Sequence, residues 1–177
     1  MENTLLVAKY FNGLYQDENG LDMGQMRMHK MMYLVQRESL MYDKNVLFNA
    51  KFRGWKYGPV LLEIRSFYLN GQLFSNVKGQ LCERAKELIE SVYSRYNKFS
   101  SWKLSSLSHN ELSWKCSRKG LNPEENGNVA LSLADMKVDA ARELLRRKKI
   151  CNCKLVESGW HKLISRNKRI FKKNMKP

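Results

Sequence analysis

Between Met23 and Tyr42 the chain carries Met28, Met31, Met32, Leu34 and Val35, an apolar arc too wide for one neighbour to cover at helical period. A helix of that kind must be buried on more than one side, so the surrounding chain has to supply further amphipathic helices. Leu6, Val7, Tyr10, Phe11 and Leu14 fall on one face of a first helix that ends near 13–19. Leu81, Ala85, Leu88, Ile89, Val92, Tyr93 and Tyr96 follow the spacing i, i+4, i+7, i+8, i+11, i+12, i+15, the cleanest amphipathic pattern in the chain.

The intervening stretches break this period. Val46-Leu47-Phe48 and Lys51-Phe52-Arg53-Gly54-Trp55 are short, aromatic and punctuated by Asn49 and Gly54, which predicts two brief strands or an extended lid. Gly58-Pro59 predicts a new helix with proline at its first position, where a missing N–H costs little; it should stop at Asn70-Gly71. A short helix is expected over Ser101 to Leu107, followed by a turn over 109–114. The segment 122–128 is a polar loop. Ser132 with Asp135 resembles a capping box, opening a helix through Met136, Ala140, Ala141, Leu144 and Leu145. Beyond it, Trp160, Leu163, Ile164 and Phe171 predict one more basic amphipathic helix within 150–177. The expected fold is mainly α: a compact multi-helix single domain over 1–141 with a short β-hairpin or extended insertion at about 46–57. A basic C-terminal extension over 142–177 should add a helix and a mobile end.

At 177 residues and 43% hydrophobic, the chain can bury one sizeable core. No run of 18 apolar residues exists, so no membrane partner is expected. The N-terminal Met1-Glu2-Asn3-Thr4 has the wrong order for a secretory signal. Cysteines at 82, 116, 151 and 153 lack framework spacing, so a soluble protein of a reducing compartment is expected.

The charge is uneven. Residues 142–177 carry 13 of the 32 Lys and Arg but only 2 of the 17 Asp and Glu, so most of the net +15 lies in the last fifth of the chain. Arg146, Arg147, Lys148, Lys149, Arg166, Lys168, Arg169, Lys172 and Lys173 are therefore candidates for contacting a polyanion: nucleic acid or an acidic protein surface. A merely solubilising tail fits the same composition.

Chemistry-bearing motifs are sparse. The chain has no phosphate-binding Gly loop. Cys151-x-Cys153 with His161 is half a zinc site without a fourth ligand at metal spacing. Cys116 near His109 and Glu111 fits no nucleophile signature. No catalytic residue, metal or cofactor is expected, and the chain is not expected to be an enzyme.

Three blocks remain: Met26-Arg27-Met28-His29-Lys30-Met31-Met32-Tyr33-Leu34-Val35-Gln36, Trp55-Lys56-Tyr57-Gly58-Pro59-Val60, and His109-Asn110-Glu111-Leu112-Ser113-Trp114. In this order they resemble the Panacea family, the SocA-like antitoxin domain of bacterial and phage toxin–antitoxin modules, over about residues 4 to 141. Two departures stand out: His29 precedes Lys30 where the family commonly has Gln, and 142–177 has no counterpart.

The resemblance implies a helical antitoxin domain without catalytic residues that binds a separately encoded protein toxin, and in one branch an adaptor that delivers it to a Clp-type protease. The alternatives are a nucleic-acid-binding regulator working through the basic segment, or a phage inhibitor of a host defence enzyme. Trp55, Tyr57, His109, Glu111 and Trp114 are the candidate partner-binding residues. Core packing is the competing reading for each: His109 capping the short helix, Trp114 filling the core, Glu111 bonding a backbone N–H. The Met run at 23, 26, 28, 31 and 32 reads as core stripe or adaptable binding face.

Overall fold

A computed structural model describes residues 1–72 and 74–150. Residues Met1–Ala140 form one unit and Ala141–Pro177 a second. In the first, the elements are α1 (Thr4–Asn19), α2 (Gln25–Tyr42), β1 (Phe52–Trp55), β2 (Gly58–Leu61), α3 (Leu62–Leu69), a 3-10 turn (Phe74–Asn76), α4 (Glu83–Tyr96), α5 (Ser101–His109) and α6 (Leu112–Ser117). A helix over 133–140, α7, completes that unit, so the fold is mainly α with one small hairpin.

The wide apolar arc becomes a central helix. Every residue of α2 from Met28 to Met41 is buried, against α1, α3, α4, α5 and β2. Met23, Met28, Met31 and Met32 are fully enclosed and belong to the core, while Met26 is half-buried. The four enclosed methionines offer no contact face to a partner.

Total enclosure obliges the polar side chains of α2 to find partners, since an unpaired buried polar group costs about 1–3 kcal/mol. Gln36 accepts from the N–H groups of Leu47 (2.9 Å) and Phe48 (3.3 Å) and donates to the Phe48 carbonyl (2.9 Å). Glu38 takes a two-pronged contact from Arg95 at 2.6 and 2.8 Å. Arg37 pairs with Glu111 and donates to the Tyr96 hydroxyl at 3.0 Å. The imidazole of His29 accepts from the Leu61 N–H at 3.4 Å; burial first, then the Lys30 and Arg65 charges, push its pKa down to about 3.

Local signals explain the outer helices. Asn3 caps α1 through the N–H groups of Leu5 and Leu6, and left-handed Gly20 closes it. Ala85, Leu88, Ile89, Val92, Tyr93 and Tyr96 form the buried face of α4, which packs on α1 and α2.

The hairpin lies further along the chain than 46–57. Phe48 makes only an isolated bridge to Glu2, because the Gln36 amide holds the backbone where a strand would pair. The strands are 52–55 and 58–61, with Gly54 opposite Pro59 and Trp55 opposite Gly58 around a Lys56-Tyr57 turn. Gly58-Pro59 therefore opens a strand and not a helix: Gly58 has φ of 104°, and α3 begins at Leu62. Proline is tolerated there because β2 has a single strand partner. The free edge of β1 is covered by the loop after α6, with Gly127 donating to the Gly54 carbonyl (3.1 Å) and Leu131 to that of Phe52 (2.8 Å).

The expected turn over 109–114 shrinks to Asn110-Glu111 between α5 and α6. Within the second unit, residues 141–150 are helical, and Glu143 bonds both Arg146 and Arg147 at 2.7 Å. The helix expected within 150–177 lies outside the described residues beyond Ile150.

Candidate functional site

Three elements meet at one surface groove of about 390 Å³. The hairpin turn contributes Lys56 and Tyr57. Trp102, Ser105, Ser106 and His109 come from α5, at i, i+3, i+4 and i+7, one face of that helix. Trp114 comes from α6, and the loop beyond it adds Glu124.

The rings are arranged in two pairs. Tyr57 and Trp102 meet edge to face at 5.4 Å, and His109 stacks on Trp114 at 4.1 Å with 15° between the planes. Trp102 is 61% exposed and Tyr57 42%, unusual for aromatics packed against one another. Hydrogen bonds fix the turn on both sides: the Trp114 indole N–H donates to the Trp55 carbonyl at 2.9 Å, and the Ser105 hydroxyl to that of Tyr57 at 2.8 Å.

Glycine is required where the turn meets α5. A Cβ on Gly58 would lie 2.4 Å from the Ser108 hydroxyl oxygen and 2.9 Å from the Lys30 ammonium nitrogen. Lys30 is thus buried directly behind the turn, donating to the Pro59 carbonyl at 3.1 Å, and burial lowers its pKa to about 7.

Arg118 lies behind Trp114, 5.3 Å from the ring centroid, and donates to the carbonyls of Gly54, Asn122, Pro123 and Glu125 at 2.5–3.0 Å. Among the described residues neither Lys30 nor Arg118 is paired with a carboxylate. Burial first, and then those two cations, lower the His109 pKa against a backbone hydrogen bond at Lys56. His109 faces the Ser105 hydroxyl at 3.3 Å, and no bond to Cys116 forms.

Of the residues singled out in the sequence, Tyr57, His109 and Trp114 line the groove. Trp55 does not: its carbonyl anchors Trp114, while its ring lies against the Arg65 guanidinium at 4.6 Å. Glu111 turns inward to Arg37, and burial raises its pKa to about 7 despite that partner. The N–H groups at the start of α6 are capped instead by Asp139 of α7, from Leu112 (2.6 Å) and Ser113 (2.9 Å). The Tyr33 hydroxyl reaches the same Asp139 at 3.3 Å and Ser113 at 3.0 Å. Trp102 was missed, although its i, i+7 relation to His109 on a short helix was a usable signal.

Residues 28–115 match the family model described as the antitoxin SocA-like Panacea domain. Over this segment, just under half of the chain, the sequence resembles the SocA-like Panacea family. The match is shorter than the resemblance over 4 to 141, running from α2 into α6. No curated protein matches the chain, and no solved structure does.

The Panacea segment contains Tyr57, Trp102, His109 and Trp114, whereas Arg118 and Glu124 lie beyond its end. Its conspicuous blocks are the places where distant parts of the chain are joined: Tyr33 and Gln36 hold the third block and residues 47–48, and Trp114 holds the hairpin. In the described residues, no cluster of three or more His, Cys, Asp or Glu is placed to hold a metal ion, and no helix is long and apolar enough to cross a membrane.

The polyanion candidates divide differently. Arg146 and Arg147 are engaged by Glu143, while Lys148 and Lys149 are exposed. Arg166, Lys168, Arg169, Lys172 and Lys173, like Cys151, Cys153 and His161, lie outside the described residues.

Proposed function

We propose that this antitoxin-like protein neutralises a protein toxin by direct stoichiometric binding, without catalysis, and that the Tyr57–Trp102–His109–Trp114 groove forms part of its contact surface. The observation that carries this reading is the pair of exposed aromatics, Trp102 and Tyr57, braced by a rigid framework inside the segment that matches an antitoxin family. Exposed aromatics at low conformational-entropy cost are the usual anchors of protein interfaces, and truncating a true anchor costs ~2 kcal/mol or more. Delivery of the bound toxin to a Clp-type protease is compatible with the same surface.

The test is co-purification of the tagged chain from its native host in about 0.5 M salt, where screening leaves packed interfaces intact and weakens surface charge contacts. One stoichiometric protein partner, weakened by Trp102→Ala, is the expected result.

The polyanion reading rests on the exposed Lys148 and Lys149 and the charge of 142–177. Its mark would be nucleic acid retained at low salt and lost steeply as salt rises, with no protein partner.

A further inference from the structure

The exposed ion pair at the mouth of the groove is unequal in how firmly its two members are held. Lys56 is 28% exposed in its side chain, carried on the tight hairpin turn with its ammonium 4.8 Å from the Tyr57 ring centroid. Its partner Glu124 is 75% exposed and belongs to the polar loop beyond the Panacea segment. A pair so open to water is worth little, so exchanging its anion for another carboxylate costs little. The cation is built in and the anion is replaceable.

The surroundings favour a negative charge at that position. Arg118 behind Trp114 brings positive charge close to the groove, and carbonyls satisfy it without neutralising it. Beside Lys56 the Tyr57 and Trp102 rings leave room for an apolar side chain, in a cavity within the range of ordinary ligand sites.

We infer that the groove takes a protein segment presenting a carboxylate next to an aromatic or aliphatic side chain, the carboxylate displacing Glu124 from Lys56 and the apolar group packing on Trp102 and Tyr57. Glu124 is then an internal stand-in for the partner's acid. A nucleic-acid strand fits less well: phosphate contacts draw on several free donors, and here the Arg118 donors are committed to carbonyls. One exchangeable cation matches one carboxylate. This inference rests on the groove being the partner surface.

The test uses the full-length chain and fluorescence anisotropy with three labelled probes. One is a peptide with a phenylalanine flanked by aspartates, the second its asparagine-flanked counterpart, the third a single-stranded oligothymidylate of similar length. Glu124→Gln, a change at an exposed site, should tighten the acidic peptide roughly two- to five-fold and leave the asparagine peptide unchanged. Lys56→Gln should weaken the acidic peptide roughly two- to five-fold, and Trp102→Ala should weaken both peptides.

No peptide binding, equal binding of the two peptides, or indifference of the acidic peptide to Glu124→Gln would overturn the inference. An oligothymidylate whose affinity follows Glu124→Gln and Lys56→Gln in the peptide's place would also overturn it. The broader reading is judged separately: a partner still captured by Lys56→Gln and lost by Trp102→Ala leaves the groove as the interface and removes only the carboxylate, whereas a partner captured equally by Trp102→Ala overturns the groove itself.

Discussion

The indole N–H of Trp114 donates to the backbone carbonyl of Trp55 at 2.9 Å, so a residue of α6 closes one side of a hairpin turn made 59 positions earlier. Ser105 closes the other side through the Tyr57 carbonyl. The exposed rings of the groove therefore stand on hydrogen-bonded backbone and not on a loose loop. Trp114→Phe keeps a ring to stack on His109 but removes this hydrogen bond to the turn. Urea unfolding should show a loss of about 1 kcal/mol.

Asp139 performs the capping that Glu111 cannot. It is 1% exposed and receives two backbone N–H groups together with the Tyr33 hydroxyl. Asp139→Ala is expected to destabilise by about 2–3 kcal/mol, because buried donors are left unpaired at the start of α6. Asp139→Asn, retaining one acceptor oxygen, should cost less; comparing both unfolding midpoints checks the order.

Gly58 admits no side chain. With φ of 104° and a would-be Cβ 2.4 Å from the Ser108 hydroxyl, Gly58→Ala combines backbone strain with a clash against α5. A loss of about 3 kcal/mol or more is expected, read as a lowered melting temperature together with altered tryptophan fluorescence.

Lys30 gives stability a pH dependence on the alkaline side. Its pKa falls from the ordinary 10.5 to about 7 in the folded chain, so between those values the unfolded state binds more protons. Stability contributed through this group therefore rises as pH increases from about 7 toward 10. Glu111 runs the other way: raised to about 7, it makes the folded chain the better proton binder above 4.5, so its contribution falls as pH rises toward 7. His29, lowered to about 3, offsets Glu111 over much of that acidic window. Unfolding curves of the native chain and Lys30→Met at pH 7 and 9.5 isolate the lysine: the substitution should remove most of the rise.

The strongly periodic segments were legible because a helical face is written locally. α1, α2 and α4 follow from Phe11, Met28 to Val35, and Leu88 to Tyr96, and the distinctive blocks carried the family resemblance. What escaped was non-local. Gly58-Pro59 has the local look of a helix start, and only the pairing of Trp55 with Gly58 and the crowding by Ser108 make it a strand. Residues 46–48 lost their strand to a side chain, Gln36, on another element. Glu111 occupies the capping position of α6, yet the acid that serves it lies 27 positions from Leu112, in α7. Trp102 reads as an ordinary helix residue until Tyr57 is placed beside it.

The most direct test of the central claim is growth rescue in a bacterial strain expressing the product of the neighbouring gene, with the native chain and with Trp102→Ala produced at matched levels. Rescue by the native chain that Trp102→Ala loses while remaining folded by circular dichroism is the expected result. Failure of the native chain to rescue growth or to bind that product would contradict it.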